Sequence, residues 1–284
     1  MRSVFLTGAT GGIGVPTVRL LTERGYRVFA GVRDLSKAKI FDRLDAVVPV
    51  VADVTDEQSV LEAAETVRRE LGGHPLDAVV NNAGVIVEGP LELVEGAELE
   101  RQFRVNVFGP AAVIRAFLPL LRASSGRVVN VTAPTARRAV PYNGPISASK
   151  AALESLSVAL RGELAPLGVK VVIVSPTATD TPIFARAAQA AEVSRERADR
   201  QVLQVYAPMI EAVHQAGGRL SLADPETVAK VLVRAITDRR PRTRYPAGRG
   251  AELLPRIGRL PDRISDALVA RAFGLANVRP GGGA

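Results

Sequence analysis

Six short runs rich in valine and isoleucine, separated by longer stretches of helical period, restrict this chain to very few architectures. The runs are SVFLTG (3–8), RVFAGV (27–32), AVVPVV (46–51), LDAVVN (76–81), GRVVNVT (126–132) and VKVVIVSP (169–176). They do not alternate apolar with polar residues, so both faces of each are expected to be covered, as in parallel strands between helix layers. Parallel neighbours need long crossover connections, and the intervening helical stretches supply them. Gly25 stops the first helix, and Asp224-Pro225-Glu226 starts a late one with a cap and a proline at the first helical position. The expected fold class is α/β: a doubly wound parallel sheet with flanking helices, forming a single domain over 1–245 with a C-terminal helical extension over 246–284.

Two segments stand outside this alternation. Residues 183–220 carry amphipathic helical patterning and leave from the end of the sixth run. Ligands in such sheets bind beyond the strand C-termini, so this segment is expected to be a lid over a substrate pocket. Residues 246–275 are basic and apolar by turns, and the final RPGGGA is expected to fray.

Composition removes several function classes. The 284 residues include no cysteine and only His74 and His214, so no disulfide, thiolate centre or metal site is expected. No signal-like segment precedes the first run and no stretch reaches the ~18 apolar residues of a spanning helix, so a cytoplasmic protein is expected. The net charge of +8 is carried mainly by arginine, without a lysine-rich tail or many aromatics, so no nucleic acid partner is expected. Arg256, Arg259, Arg263 and Arg271 in the basic extension suit either a solvated helix face or peripheral contact with anionic lipid.

Between the first run and the first helix lies LTGATGGIG, with Gly8, Thr10, Gly11, Gly12, Ile13 and Gly14. Glycines there permit a tight turn and close approach of a pyrophosphate, which the free N–H groups of the helix start then receive. A glycine loop that follows a strand and opens a helix marks a Rossmann-type dinucleotide site. At the end of the second run Val32 stands where an acid would bind ribose hydroxyls, and Arg33 follows. An arginine there pairs with a 2′-phosphate, so NADP(H) is the expected cofactor. Asp34 is the competing signal, unless it caps the helix beginning near Ser36.

TGATGGIG, ADVTD (52–56), NNAG (81–84), VNVFGP (105–110), GPISASKAALESLSVALRGEL and VSPTATDTPI occur in this order. With them the chain resembles the short-chain dehydrogenase/reductase superfamily over residues 2–245, and RRPRTRYPAGRGAELL resembles the tails of its members that act on steroids and retinoids. The resemblance implies that Asp53 and Val54 hold the adenine and that Asn82, Ala83 and Gly84 pass beneath the cofactor. It implies that Lys150 binds the nicotinamide ribose, Asn106 anchors a water chain behind it, and Thr181 contacts the carboxamide. It also implies a small lipophilic substrate and a homo-oligomer, dimer or tetramer. Thr177 replaces the family's glycine after Pro176.

The catalytic pair departs from the pattern. The family's serine falls on Ala133 and its tyrosine on Ile146, while Asn106 and Lys150 remain. Reduction of a carbonyl forms an alkoxide that needs a proton. Residues four apart on a helix share a face, so a tyrosine at 146 would lie beside Lys150, whose charge lowers a phenol from ~10 towards working pH. Isoleucine has no proton to give, and loss of a positioned acid costs ~10²–10⁴ in rate. Tyr142 is the tyrosine near at hand and the candidate surrogate; a substrate bearing its own acid, or water, would also serve. Thr132 should point to the opposite face of its strand. The sequence thus leaves three functions open. One is an NADP(H)-dependent ketoreductase of a lipophilic or polycyclic substrate. The others are a non-redox cyclase, isomerase or dehydratase, and an inactive nucleotide-binding protein.

Overall fold

A computed structural model describes residues 1–279. The end of the expected frayed tail, from residue 280 onward, lies outside the described residues. The chain runs β1 (Ser3–Thr7), α1 (Gly14–Thr22), β2 (Arg27–Val32), β3 (Val47–Val51), α2 (Glu57–Leu71) and β4 (Ala78–Asn81). It continues through α3 (Gly96–Phe103), α4 (Gly109–Ser124), β5 (Arg127–Val131), α5 (Gly144–Leu164) and β6 (Lys170–Pro176). The last elements are α6 (Pro182–Arg197), α7 (Arg200–Gly217), α8 (Pro225–Thr237), β7 (Arg244–Ala247), α9 (Leu253–Ile257) and α10 (Asp262–Ala272).

All strands are parallel in one seven-stranded sheet of order β3-β2-β1-β4-β5-β6-β7. The order reverses between β1 and β4, which opens a crevice at their C-terminal ends. Both sheet faces are covered, as the unalternating runs require. Val4, Leu6, Val28 and Val129 pack with residues of α1 and α8 on one side. Phe5, Val79 and Val128 pack with α2 and α4 on the other, where the Phe5 and Phe117 rings stack at 4.2 Å. β3 forms one edge and is only half-buried, with Pro49 tolerated there because an edge strand has an unused N–H side.

Two expectations need correction. The extension was expected to begin at 246, but that boundary cuts through β7, which pairs with β6 from Ile173–Arg244 to Pro176–Ala247. The strand RYPA is too short and too polar to read as an apolar run. Second, α3 and α4 are joined through one π-helical turn, Arg104–Phe108, into a continuous helix Gly96–Ser124. It is long and apolar enough to cross a membrane by length and composition. Here its apolar face, with Val113, Phe117 and Leu121, covers the sheet. The C-terminal extension packs against the rest of the domain. Val269 and Ser265 are buried, Asp266 pairs with Arg138 at 2.5 Å, and Gly274 abuts Ala212 of α7.

Candidate active site

The site forms where β1, β4 and β5 end. Gly8 has φ +64°, a conformation that side chains disfavour, and a Cβ on it would lie 2.9 Å from Ala83 Cα. The glycine loop is therefore laid directly on Asn82-Ala83. The Thr7 hydroxyl accepts the N–H groups of Asn82 and Ala83, both at 3.1 Å, while Asn82 Nδ2 donates to the carbonyls of Thr7 and Gly8 at 3.1 Å. Thr181 arrives from the start of α6, and its methyl carbon lies 2.3 Å from where a Cβ on Gly12 would be. Gly14 begins α1 with no side-chain cap at Ile13. Thr10 and Gly11 complete the loop, Gly11 fully at the surface.

These features suit a dinucleotide. The loop leaves no room for side chains, and the uncapped start of α1 presents N–H groups and a partial positive charge to an anion. Arg33 stands exposed just beyond β2. The competing Asp34 is occupied: its carboxylate accepts the Ser36 N–H at 2.8 Å, and these bonds hold it below the usual carboxylate range. Asp53 Oδ1 accepts both the N–H and hydroxyl of Thr55, and Val54 packs against Gly109.

Around Ile146 lies a set of buried, hydrogen-bonded polar side chains. Asn106 is fully buried in the π-helical turn, where it accepts the Val85 N–H and donates to the Val85 carbonyl, each at 3.0 Å. π-Helical turns recur at functional sites because they re-aim a side chain. Gln102, also fully buried, accepts the Val87 N–H at 2.6 Å and donates to Ser149 at 3.0 Å. Lys150 is buried, and its ammonium donates to the Val131 carbonyl at 2.8 Å. A Cβ on Gly84 would lie 3.6 Å from that nitrogen. Burial pulls the Lys150 ammonium down to about 8, because the charged form loses its hydration.

Ile146 is 8% exposed in the first turn of α5, and Ala133 lies two residues beyond β5. Thr132 does face away, towards Glu154 at 3.1 Å and Ser175 at 2.9 Å. Glu154 in turn pairs with Arg244 of β7 at 2.5 Å, so this hydroxyl is committed to a buried network. The Ser147 hydroxyl is buried without a partner among the described residues. Tyr142 sits in a left-handed conformation, φ +65°, and its carbonyl accepts the Gly89 N–H at 2.7 Å. Its phenol is pushed above the usual value by burial and, secondarily, by the nearby Tyr206.

Thr177 does not disrupt the path beyond β6. Its backbone stays out of the left-handed region, its N–H donates to the Ala247 carbonyl at 2.9 Å, and its hydroxyl rests on Gly248. Beyond the site, α6 buries only Ala187 and Ala191 and α7 buries no residue fully. Tyr206 donates to Glu92 at 2.8 Å and Arg197 pairs with Glu95 at 3.4 Å, which ties both helices to the loop after β4. Gln102, Glu154 and Arg244 were not singled out in the sequence, since no local motif marks them.

The family model described as short chain dehydrogenase matches residues 2–192. A 3-amino-tetrahydro-pyrrolizinone reductase of Xenorhabdus hominickii is 37% identical over 64% of this chain, and the match spans 63% of that relative's length. Retinol dehydrogenase 5 of Mus musculus is 33% identical over 94% of this chain and 87% of the relative. A solved short chain dehydrogenase from Burkholderia cenocepacia J2315, in complex with NADP, superposes with a TM-score of 0.73 at 28% identity, covering 95% of this chain and 96% of that one. The chain belongs to the short-chain dehydrogenase/reductase family and is an oxidoreductase of that type.

Proposed function

We propose that this protein is an NADPH-dependent ketoreductase of a lipophilic ketone, working without the family's serine and tyrosine. The observation that carries this is Lys150, kept buried and held by the Val131 carbonyl beside Gly84, while Ala133 and Ile146 carry no polar group. A buried ammonium is costly to keep even with one carbonyl partner, and an abandoned site has no reason to bear that cost. Gly8, Thr10, Gly11, Gly12, Ile13 and Gly14 would receive the pyrophosphate, Arg33 the 2′-phosphate, and Asp53 and Val54 the adenine. Asn82, Ala83 and Gly84 would underlie the cofactor, with Thr181 at the carboxamide. Bound NADPH would supply hydride chemistry.

Lys150 would orient the nicotinamide ribose, and its positive charge would stabilise the developing alkoxide. Asn106 would hold an ordered water behind Lys150. The proton would come from the substrate or from water. Tyr142 is the third source, weakened because a phenol with a raised pKa yields its proton reluctantly. Its better use is as a hydrogen-bond donor in the pocket wall. Residues 183–220 would act as the lid, since α6 and α7 are lightly packed and low-stability elements are those that open. A cytoplasmic dimer or tetramer, with the arginines of the extension solvated, completes this reading.

The apolar pair supports a second reading, a non-redox isomerase or cyclase in which Lys150 is a lone charge. Labelled cofactor separates the two. Transfer of deuteride from 4-deuterated NADPH to a panel of lipophilic ketones is expected; turnover with no cofactor consumed would favour the non-redox enzyme.

A further inference from the structure

We propose that the cleft between α6 and the loop after β4 holds the amine of an amino ketone, with Glu88 as its carboxylate partner. The proposal rests on the ketoreductase reading and narrows its substrate class. The cleft has apolar walls from Val87, Leu93, Ala187 and Ala191, and its charged side chains are Glu88, Glu98 and Arg195. Two of these three are engaged locally. Glu98 is gripped by Arg101, whose closest nitrogen lies at 2.6 Å, and Arg195 donates to Glu192 on its own helix.

Glu88 differs. No hydrogen bond acts on it; burial raises its pKa, and Arg195 of α6 and His214 of α7 oppose this only through space. A half-buried carboxyl among apolar side chains is costly unless donors reach it. Among the described residues no donor does so, its oxygens face the open cleft, and a ligand entering there would replace water with donors of its own. Hydroxyl or amide donors would meet part of the need. An ammonium brings several N–H donors and the opposite charge, which counts for more at a half-buried carboxylate than in open water.

The loop that bears Glu88 is fixed relative to the reaction centre from both sides. Val87 N–H bonds to Gln102, which is bonded to Ser149 beside Lys150, and Gly89 N–H bonds to the Tyr142 carbonyl. In this proposal a bifunctional substrate spans from its ketone at Lys150 to its amine at Glu88, under the lid.

Calorimetry with n-octylamine and n-octanol tests this without any turnover. Wild-type protein is expected to bind the amine at least tenfold more tightly than the alcohol. Glu88→Gln should abolish that preference, a loss of roughly 10- to 100-fold for the amine with the alcohol unchanged. Equal binding of the two probes by the wild type, or a preference that survives Glu88→Gln, would overturn the amine site. An amine preference without deuteride transfer would leave this site standing and remove the ketoreductase reading. Transfer to ketones with no amine preference would do the reverse.

Discussion

A Cβ on Gly248 would lie 2.2 Å from the hydroxyl oxygen of Thr177, so the residue that replaces the family's glycine depends on a glycine at the end of β7. The close approach joins the end of β6 to the residue that follows β7. Gly248, at φ +94°, is in a conformation side chains rarely adopt.

Gly248→Ala is therefore expected to destabilise the protein by about 1–3 kcal/mol through overpacking and backbone strain. Thr177→Gly in the same chain should restore the overpacking part only, because the strained φ remains. Thermal unfolding of both single variants and the double variant measures the coupling. Simple additivity would show that the two residues do not press on each other.

Lys150 makes stability depend on alkaline pH. Its folded-state pKa of about 8 lies below the ordinary 10.5, so between these values the unfolded chain binds a proton that the folded chain does not. Stability should therefore rise with pH across that window, as the burial penalty of the charge disappears. At the ~1.4 kcal/mol per unit of pKa, the penalty below pH 8 reaches about 3–4 kcal/mol. Lys150→Met should remove this dependence and be more stable than the wild type at neutral pH, the difference shrinking towards pH 10. A difference that does not change with pH would contradict a buried, desolvated ammonium.

Restoring the lost hydroxyls should arm the site for simple ketones. Ile146→Tyr places a phenol four residues before Lys150 on α5, and Ala133→Ser returns the hydroxyl just beyond β5. The double variant is expected to gain ~10²–10⁴ in kcat/KM with ketones that carry no acidic group. For substrates that bring their own proton the gain should be small. No gain with either would mean that the pocket had been reshaped beyond these two positions.

Much of the frame was legible because buried parallel strands leave unalternating apolar runs. All six expected runs are strands, and the glycine loop sits at the switch point. β7 was not legible, because its four residues include a proline and an arginine, and its stability comes from pairing with β6 and from the Arg244–Glu154 pair. Asp34 illustrates a local ambiguity: only the fold could show its carboxylate turned to Ser36. The Gln102–Ser149 bond joins residues 47 apart, so no motif could announce it. Glu88 is likewise unmarked in sequence, since its surroundings exist only once α6 has folded over the loop after β4.

Binding of NADPH and NADH to the purified chain, read by calorimetry, bears most directly on the claim that a working nucleotide site survives beside a missing acid. NADPH is expected to bind at least tenfold more tightly than NADH, and Arg33→Glu should erase the difference by removing the cation that meets the 2′-phosphate. Failure of the wild type to bind either nucleotide would contradict the claim, and the ketoreductase reading would fall with it.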